Sequence, residues 1–194
     1  MRVPLSSGCF VPRNRKLVLY IQRLVRLWPI LVSALAVLAP PAVNAADAPG
    51  IANFQQVDAH VYRGAQPTAE GFRSLTKLGV KTIIDLREAG SRSRAEKQLV
   101  EAQGMRYVSV PMDGWRSPQP GQMDRVLAVM NDPAASPVFV HCRRGKDRTG
   151  TVMACYRIAH DRWPNRKALD EARSLGMGWY RYPMKSYILA YASR

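Results

Sequence analysis

The stretch PVFVHCRRGKDRTG, residues 137–150, decides the fold of this chain, because an apolar strand pattern changes into a loop and a helix start within it. Residues 137–142 are typical of a strand that is covered on both faces. One thiol, Cys142, stands where the strand pattern ends, and four cations follow it: Arg143, Arg144, Lys146 and Arg148. A structural core cysteine does not need cations beside it, so the stretch indicates that an anion binds here.

Short strands and helices alternate on both sides of this stretch. Strand patterns cover residues 60–67, 80–87, 105–111 and 137–142. Helix patterns cover residues 68–79, 91–104, 119–132 and about 147–161, 165–175 and 183–192. The alternation predicts an α/β fold with a central, mainly parallel sheet of four to five strands flanked by helices. Ligands bind such sheets at the carboxyl ends of the strands, which is where Cys142 lies.

The size and composition of the chain predict one globular domain preceded by a leader. The 194 residues have room for one ordinary domain, and 47% hydrophobic with 22% charged residues is a globular composition. We divide the chain into a leader, 1–45, and a catalytic domain, 46–194. The net charge of +15 fits an anionic substrate, a membrane surface or a nucleic acid, and equally a merely basic soluble surface.

The leader has the pattern of an export signal. Residues 1–45 contain cations but no acidic residue, 27–43 are almost wholly apolar, and small residues stand at Val43 and Ala45. We expect export to the periplasm or cell envelope, with cleavage after Ala45. Two alternatives stay open: an uncleaved segment that associates with the membrane through residues 27–43, and an organellar transit peptide.

The cysteines predict a working thiol and no disulfide framework. Cys9 lies in the leader, which leaves Cys142 and Cys155 in the domain, with a predicted helix between them. Their Cα atoms should therefore be too far apart for a disulfide. Cys155 lies in an apolar run and is expected to be inert core packing.

The sequence of the loop after Cys142 predicts a binding site for an oxyanion. Its backbone N–H groups can turn toward one centre, and the following helix adds the positive end of its dipole. Gly145 allows the turn. A thiol in this field should ionise to the thiolate and attack phosphorus in a bound phosphate. We expect the loop to bind phosphate through Arg143, Arg144, Gly145, Lys146, Asp147 and Arg148, mainly by backbone amides.

Three side chains of the stretch are assigned individual roles. Arg148 has a planar fork that can bind two phosphate oxygens and follow them into the transition state. Thr149 can donate its hydroxyl to the sulfur when the sulfur leaves. His141 is expected to fix the conformation of the loop by hydrogen bonding.

The stretch contains the motif HC-x5-RTG, in which His141 and Cys142 are followed by five residues and then by Arg148, Thr149 and Gly150. This motif resembles the signature of the cysteine-dependent protein tyrosine phosphatase superfamily, and the short chain resembles its dual-specificity branch. The interior CRRGKDR is most similar to the atypical plant-and-fungal type, as are NFQQVDAHVYRGAQP and LGVKTIIDLRE upstream. The resemblance covers roughly residues 53–190. It implies a dual-specificity phosphatase-like fold and metal-independent hydrolysis of phosphate monoesters through a phosphocysteine, with no cofactor.

The same resemblance implies a general acid on a loop upstream of the cysteine. Asp113, which follows the strand pattern 105–111, is the preferred candidate, and an ordinary Asp-Gly turn is the alternative. Asp124 and Asp132 are less favoured because they lie in or after a helix. Asp147 is expected to cap the helix or occupy its first turn, with a role as auxiliary acid as the minority interpretation.

The substrate stays open between proteins phosphorylated on tyrosine, serine or threonine, inositol phosphates, and phosphorylated lipid headgroups. The resemblance slightly favours an inositol phosphate or pyrophosphate. We expect a monomer, no nucleic-acid partner and no metal. The alternatives are a rhodanese-like sulfurtransferase and a non-catalytic phosphate- or membrane-surface-binding module. The basic runs 91–97 and 164–174 are interpreted as solvated helix faces, and Trp179, Tyr180 and Tyr182 as packing residues.

Overall fold

The computed structural model describes residues 48–192. The predicted leader, 1–45, with its cleavage after Ala45 and its apolar segment 27–43, lies outside the described residues. Among the described residues, no helix combines the length and the apolar character that a membrane span requires.

Five strands and six helices alternate along the described chain. The strands are β1 (Gln55–Gln56), β2 (Val61–Ala65), β3 (Thr82–Asp85), β4 (Arg106–Ser109) and β5 (Val138–Cys142). The helices are α1 (Ala69–Lys77), α2 (Ser91–Ala102), α3 (Gln122–Met130), α4 (Asp147–Ala159), α5 (Asn165–Ser174) and α6 (Tyr182–Ala190). The two-residue strand β1 was not predicted, and the other elements begin and end within a few residues of their predicted limits.

The strands form one sheet in the order β1-β2-β5-β3-β4, in which β1 is antiparallel and the others are parallel. The predicted α/β class with a mainly parallel sheet is therefore confirmed. β5 is central, and its register pairs Cys142 with Ala65 of β2 and His141 with Asp85 of β3. The carboxyl ends of three parallel strands thus meet around the cysteine.

Apolar side chains cover both faces of the sheet, which is why the strands read as continuous apolar runs. Val140 and Ile84 belong to a core that also contains residues of α3 and α4. Their neighbours Phe139 and Ile83 point to the opposite face, in a core shared with α1 and α2. Each such fully buried side chain contributes about 1.5–3 kcal/mol.

Helix α4 lies in the middle of the fold, because it packs on the sheet and on α5 and α6. Its residues Val152 and Met153 join the sheet core, whereas Ala154 and Ile158 join a third cluster with α5 and α6. Cys155 is fully buried, as expected, and burial raises the pKa of its thiol. The start of α4, directly after the predicted anion loop, is therefore rigidly held.

Candidate active site

The loop between β5 and α4 folds back against the end of β2. Cys142 is 3% exposed at its start, and Asp147 is the first residue of α4. Gly145 has φ +67°, and a Cβ there would lie 2.5 Å from the backbone nitrogen of Ala65. Only glycine fits this close approach and this backbone conformation. The predicted need for Gly145 thus has a specific cause, which is contact with the neighbouring strand.

Two polar side chains support the loop from below. The carbonyl oxygen of Gly145 accepts hydrogen bonds from Arg63 Nη2 at 2.5 Å and from Asn53 Nδ2 at 2.8 Å. Arg63 is 1% exposed, and its burial lowers its pKa to about 10 although Glu171 and Cys142 act in the opposite direction. A buried guanidinium beneath the loop holds the backbone in place and adds positive potential near the thiol.

Neither supporting residue was predicted. The available signal was an arginine inside a strand pattern, 60–67, whose other central residues are apolar or small. A charged residue that is fully buried in a strand needs a partner, and in Arg63 that partner is the loop carbonyl.

Arg148 extends from the first turn of α4 toward the ends of β3 and β4. Its Nη1 donates hydrogen bonds to the carbonyl oxygens of Met112 at 3.1 Å and Leu86 at 3.4 Å, and lies 3.8 Å from Glu88 Oε1. The side chain is 13% exposed. These contacts fix the guanidinium at the rim of the pocket that contains Cys142.

His141 is completely buried beside the cysteine. Its Nε2 lies 2.9 Å from Glu96 Oε1 and 3.9 Å from Asp85 Oδ1. The shorter distance is within hydrogen-bonding range, although the two groups are not aligned as a hydrogen bond. Both groups are buried, so they form a close polar contact that is shielded from water. The expected role of His141 in positioning the loop therefore depends on a residue of α2.

Glu96 and Asp85 belong to a buried ion-pair network. Arg87 Nη2 lies 2.8 Å from Glu96 Oε2 and 2.7 Å from Asp85 Oδ2, and Tyr107 donates its hydroxyl to Asp85 Oδ2 at 2.7 Å. Burial alone would raise the pKa of Asp85, but the bonds from Arg87 and Tyr107 and the proximity of His141 lower it. The same surroundings raise the pKa of Arg87 and of the Tyr107 hydroxyl.

The network includes three groups that a metal ion could use. Asp85, Glu96 and His141 place one potential ligand atom each within 4.8 Å of one another. Arg87 already pairs with both carboxylates, so its guanidinium supplies the positive charge that a metal would bring. The donor set therefore fits an internal ion-pair network better than a metal centre.

Asp147 links the loop to the segment before α6. Its Oδ1 accepts the backbone N–H of Gly178 at 2.9 Å, and its Oδ2 lies 3.2 Å from Nε of Arg181. Its place in the first turn of α4 was predicted, whereas these contacts were not. The carboxylate is thus engaged in holding two segments together.

Asp113 lies on the exposed loop after β4. Its Oδ1 accepts the backbone N–H groups of Trp115 at 2.6 Å and Arg116 at 3.0 Å, and these bonds lower its pKa. The turn that was the alternative interpretation is therefore present. Gly114 and Trp115 line the pocket of Cys142, which places the Asp113 loop beside it. A role as general acid stays a prediction.

The remaining predicted residues fall into two groups. Thr149 is fully buried directly after Arg148, and its hydroxyl has no hydrogen-bond partner within residues 48–192. The side chains of Arg143, Arg144 and Lys146 are exposed around the loop. That these three residues act mainly through their backbone amides and their positive field stays a prediction.

These residues surround a pocket of about 260 Å³. Its lining consists of Glu88, Gly114, Trp115, Cys142, Arg143, Arg144, Asp147, Arg148 and Arg181. A second cleft, of about 360 Å³ around His60 and Tyr156, lies at the other end of the strands and is lined by no cysteine and no arginine. The chemistry therefore assigns the candidate active site to the Cys142 pocket.

The aromatic residues near the pocket differ from their predicted role. Trp179 is 76% exposed and Tyr182 is 63% exposed, so the interpretation of these residues as packing is wrong. They lie on a turn and at the start of α6, where neither side chain has a core to enter. By contrast, the arginines and the lysine of the basic run 91–97 are exposed on α2, as predicted.

Comparison with known proteins agrees with this arrangement of strand, loop and helix. A family model described as "DSP-PTPase phosphatase fused to NAD+ Kinase" matches residues 39–181. The chain belongs to this DSP-PTPase family. The predicted resemblance to dual-specificity phosphatases is thereby confirmed.

Similar proteins occur in plants, fungi and bacteria. The chain is 31% identical over 148 residues to the inositol diphosphatase DSP3 of Arabidopsis thaliana. The alignment covers 74% of this chain and 67% of DSP3. It is 29% identical over 126 residues to the dual specificity protein phosphatase TpbA of Pseudomonas aeruginosa strain UCBPP-PA14. That alignment covers 65% of this chain and 56% of TpbA. The identity to the inositol diphosphatase DSP1 of rice is 31% over 123 residues. That alignment covers 61% of this chain and 54% of DSP1. The chain thus spans about half the length of the last two relatives.

Solved structures share the fold. The core catalytic domain of the PP-IP phosphatase SIW14 from S. cerevisiae, in complex with citrate, has a TM-score of 0.65 and 27% identity, covering 72% of this chain and 85% of that one. TpbA from P. aeruginosa has a TM-score of 0.62 and 25% identity, covering 73% and 86%. The DSP-PTPase fold is therefore present over the described domain.

Proposed function

We propose that the chain hydrolyses phosphate monoesters through a phosphocysteine on Cys142. The observation that supports this most strongly is the buried thiol at the end of β5, with a cationic loop around it and Arg148 fixed at the rim of the same pocket. Family membership supports the same chemistry.

In the first step, the Cys142 thiolate attacks phosphorus and the bond from phosphorus to the ester oxygen breaks. Backbone N–H groups of the loop and the fork of Arg148 stabilise the equatorial oxygens as the phosphoryl group flattens. Asp113 gives its proton to the leaving oxygen, which departs as an alcohol or phenol. The products of this step are the phosphocysteine and the Asp113 carboxylate.

In the second step, water attacks the phosphocysteine. The Asp113 carboxylate takes a proton from the water, the bond from phosphorus to sulfur breaks, and orthophosphate forms. The sulfur leaves as a thiolate, and the hydroxyl of Thr149 donates a hydrogen bond to it. No cofactor and no metal takes part in either step.

Inositol phosphates, including diphosphates, are the substrates that we favour, with phosphorylated proteins as the second class. The relatives named as inositol diphosphatases and as dual specificity protein phosphatases support one class each. The exposed cations around the loop suit a substrate that carries several negative charges. Phosphate release from a panel of inositol phosphates and phosphopeptides would rank the two classes.

We also propose that residues 1–45 direct the protein out of the cytoplasm, to the periplasm or cell envelope, and that it acts there as a monomer. The basic, acid-free start, the apolar run and the small residues before Ala45 support export. The N-terminus of the protein recovered from cell fractions would show whether residues 27–43 are removed or stay as a membrane anchor.

Turnover of para-nitrophenyl phosphate tests the catalytic proposal. We expect the wild-type chain to release phosphate and the Cys142→Ser variant to be inactive while it still binds phosphate. Equal turnover by both proteins would show that Cys142 is not the nucleophile. Transfer of the outer sulfur of thiosulfate to added cyanide, with release of sulfite and thiocyanate and no phosphate release from esters, would instead favour the sulfurtransferase.

A further inference from the structure

Besides Arg148, a second arginine with a fixed side chain, Arg181, lines the candidate active site. It directly precedes α6, lines the pocket that contains Cys142, and its side chain is only 9% exposed. It comes from a part of the chain far from the phosphate loop. The loop chemistry described above does not use it.

Three neighbours fix the guanidinium of Arg181. Its Cζ lies 4.0 Å from the ring centre of Trp115 and 4.8 Å from that of Tyr180. Its Nε lies 3.2 Å from Asp147 Oδ2. Because Asp147 and Trp115 also line the pocket, the guanidinium is held between an aromatic wall and the first turn of α4.

The hydrogen-bonding capacity of Arg181 is largely unused. Nε is close to Asp147 but not aligned with it, and neither Nε nor Nη1 has a hydrogen-bond acceptor among residues 48–192. A buried donor without an acceptor lowers the stability of the folded protein. Nη2 is not shielded from solvent in this way, so it is the nitrogen of Arg181 that an oxygen atom of a ligand can reach.

The charge of the pocket favours an anionic ligand at this position. Its lining contains four arginines and only two carboxylates, those of Glu88 and Asp147. Arg148 is assigned to the reacting phosphoryl group, whereas Arg143 and Arg144 are exposed and solvated. Arg181 is withdrawn from water, where an ionic hydrogen bond is stronger than at the surface.

We propose that Arg181 binds a second phosphoryl group of the substrate, next to the one that Cys142 attacks. The proposal rests on the proposed phosphatase function and narrows its substrates to compounds with two phosphoryl groups close together. The pocket volume of about 260 Å³ requires the second group to be near the first. Arginine suits it because its guanidinium is always charged and Nη2 alone carries two N–H donors.

Two phosphonates that the enzyme cannot hydrolyse test the proposal by calorimetry. Methylenediphosphonate carries two phosphonate groups on one carbon, and methylphosphonate carries one. In the Arg181→Gln variant, we expect the affinity for methylenediphosphonate to fall about 10-fold or more. The affinity for methylphosphonate should change less than about 2-fold, because the phosphate loop is intact.

Two further variants serve as controls. Arg125→Gln removes one positive charge from an exposed position on α3 that does not line the pocket, and it should change neither affinity beyond about 2-fold. Arg181→Lys keeps the charge but loses the fork, so it should recover only part of the methylenediphosphonate affinity.

Equal losses for both phosphonates in Arg181→Gln would overturn the proposal, because they would mean that Arg181 only supports the loop. No loss for either would overturn it as well. Since the assay measures binding, these results are separate from a failure of the proposed function. That failure would appear as a wild-type protein that binds phosphonates but does not release phosphate from any ester.

Discussion

Arg148 is the residue whose geometry the proposed chemistry requires most. Carbonyl oxygens of Leu86 and Met112 hold one of its terminal nitrogens, which leaves the other donors of the fork for the substrate. A lysine has one compact charge and cannot bind two equatorial oxygens in a plane. The requirement is therefore for a guanidinium and not only for a positive charge.

We predict that Arg148→Lys lowers kcat for para-nitrophenyl phosphate by about 10²–10³-fold, the loss that removal of a transition-state donor typically causes. Circular dichroism should show an unchanged fold. A variant with more than half of the wild-type kcat would show that charge alone suffices.

Asp113 permits a prediction about pH. A general acid must be protonated to act, and the backbone N–H groups of Trp115 and Arg116 lower its pKa by stabilising the carboxylate. With a poor leaving group such as an alkyl phosphate, kcat/KM should therefore fall as the pH rises above that pKa. The Asp113→Asn variant should lose this dependence and about 10²–10⁴-fold in rate. An unchanged profile in the variant would remove Asp113 from the acid role.

Helix α2 contributes to the site although it lies outside the pocket. It carries Glu96, which is 3% exposed and joins His141 to the network around Arg87. His141 in turn occupies the position before Cys142 at the end of β5. The helix thus reaches the residue beside the cysteine through a buried polar network, and a role of Glu96 in positioning the cysteine is a prediction.

We predict that Glu96→Gln lowers the free energy of unfolding by about 1–3 kcal/mol, because the buried guanidinium of Arg87 loses one of its two carboxylate partners. It should also lower kcat while KM changes little, since the loop and not the rim is disturbed. The matched control is Glu101→Gln on the same helix, where an exposed pair with Lys97 at 3.8 Å should contribute less than about 1 kcal/mol. Equal effects of the two substitutions would contradict the positioning role.

At the scale of elements, apolar patterns and turn residues predicted most of the strands and helices, because burial on both faces of a parallel sheet leaves a clear signal in sequence. The phosphate loop could also be predicted, because Cys142 and Arg148 are only six positions apart in the sequence. Arg63, Glu96 and Arg181 were missed because each acts on the site from another element. Contacts between distant elements depend on tertiary packing, and no local pattern encodes them.

At the scale of the whole molecule, the buried network should make stability depend on pH. The pKa of Asp85 is lowered in the folded protein, so the folded state binds fewer protons than the unfolded state at acidic pH. The stabilising contribution of Asp85 is present above the unfolded pKa of about 3.9 and is lost as the pH falls through the folded pKa.

Urea unfolding between about pH 3 and 7 checks this prediction. The free energy of unfolding should rise with pH at the acidic end of that range, and the slope should be smaller in Asp85→Asn than in the wild type. The variant will also be less stable at neutral pH, but the slope is the diagnostic quantity. Identical slopes would show that Asp85 does not titrate with folding.

The central claim, that Cys142 carries the phosphoryl group, is tested most directly by trapping the intermediate. Rapid acid quenching during turnover, followed by peptide mass spectrometry, should find one added phosphoryl group on the peptide that contains Cys142. Asp113→Asn should increase the trapped fraction with an aryl ester, because the second step loses its base. Phosphate release without any phosphorylated Cys142 peptide in either protein would contradict the account.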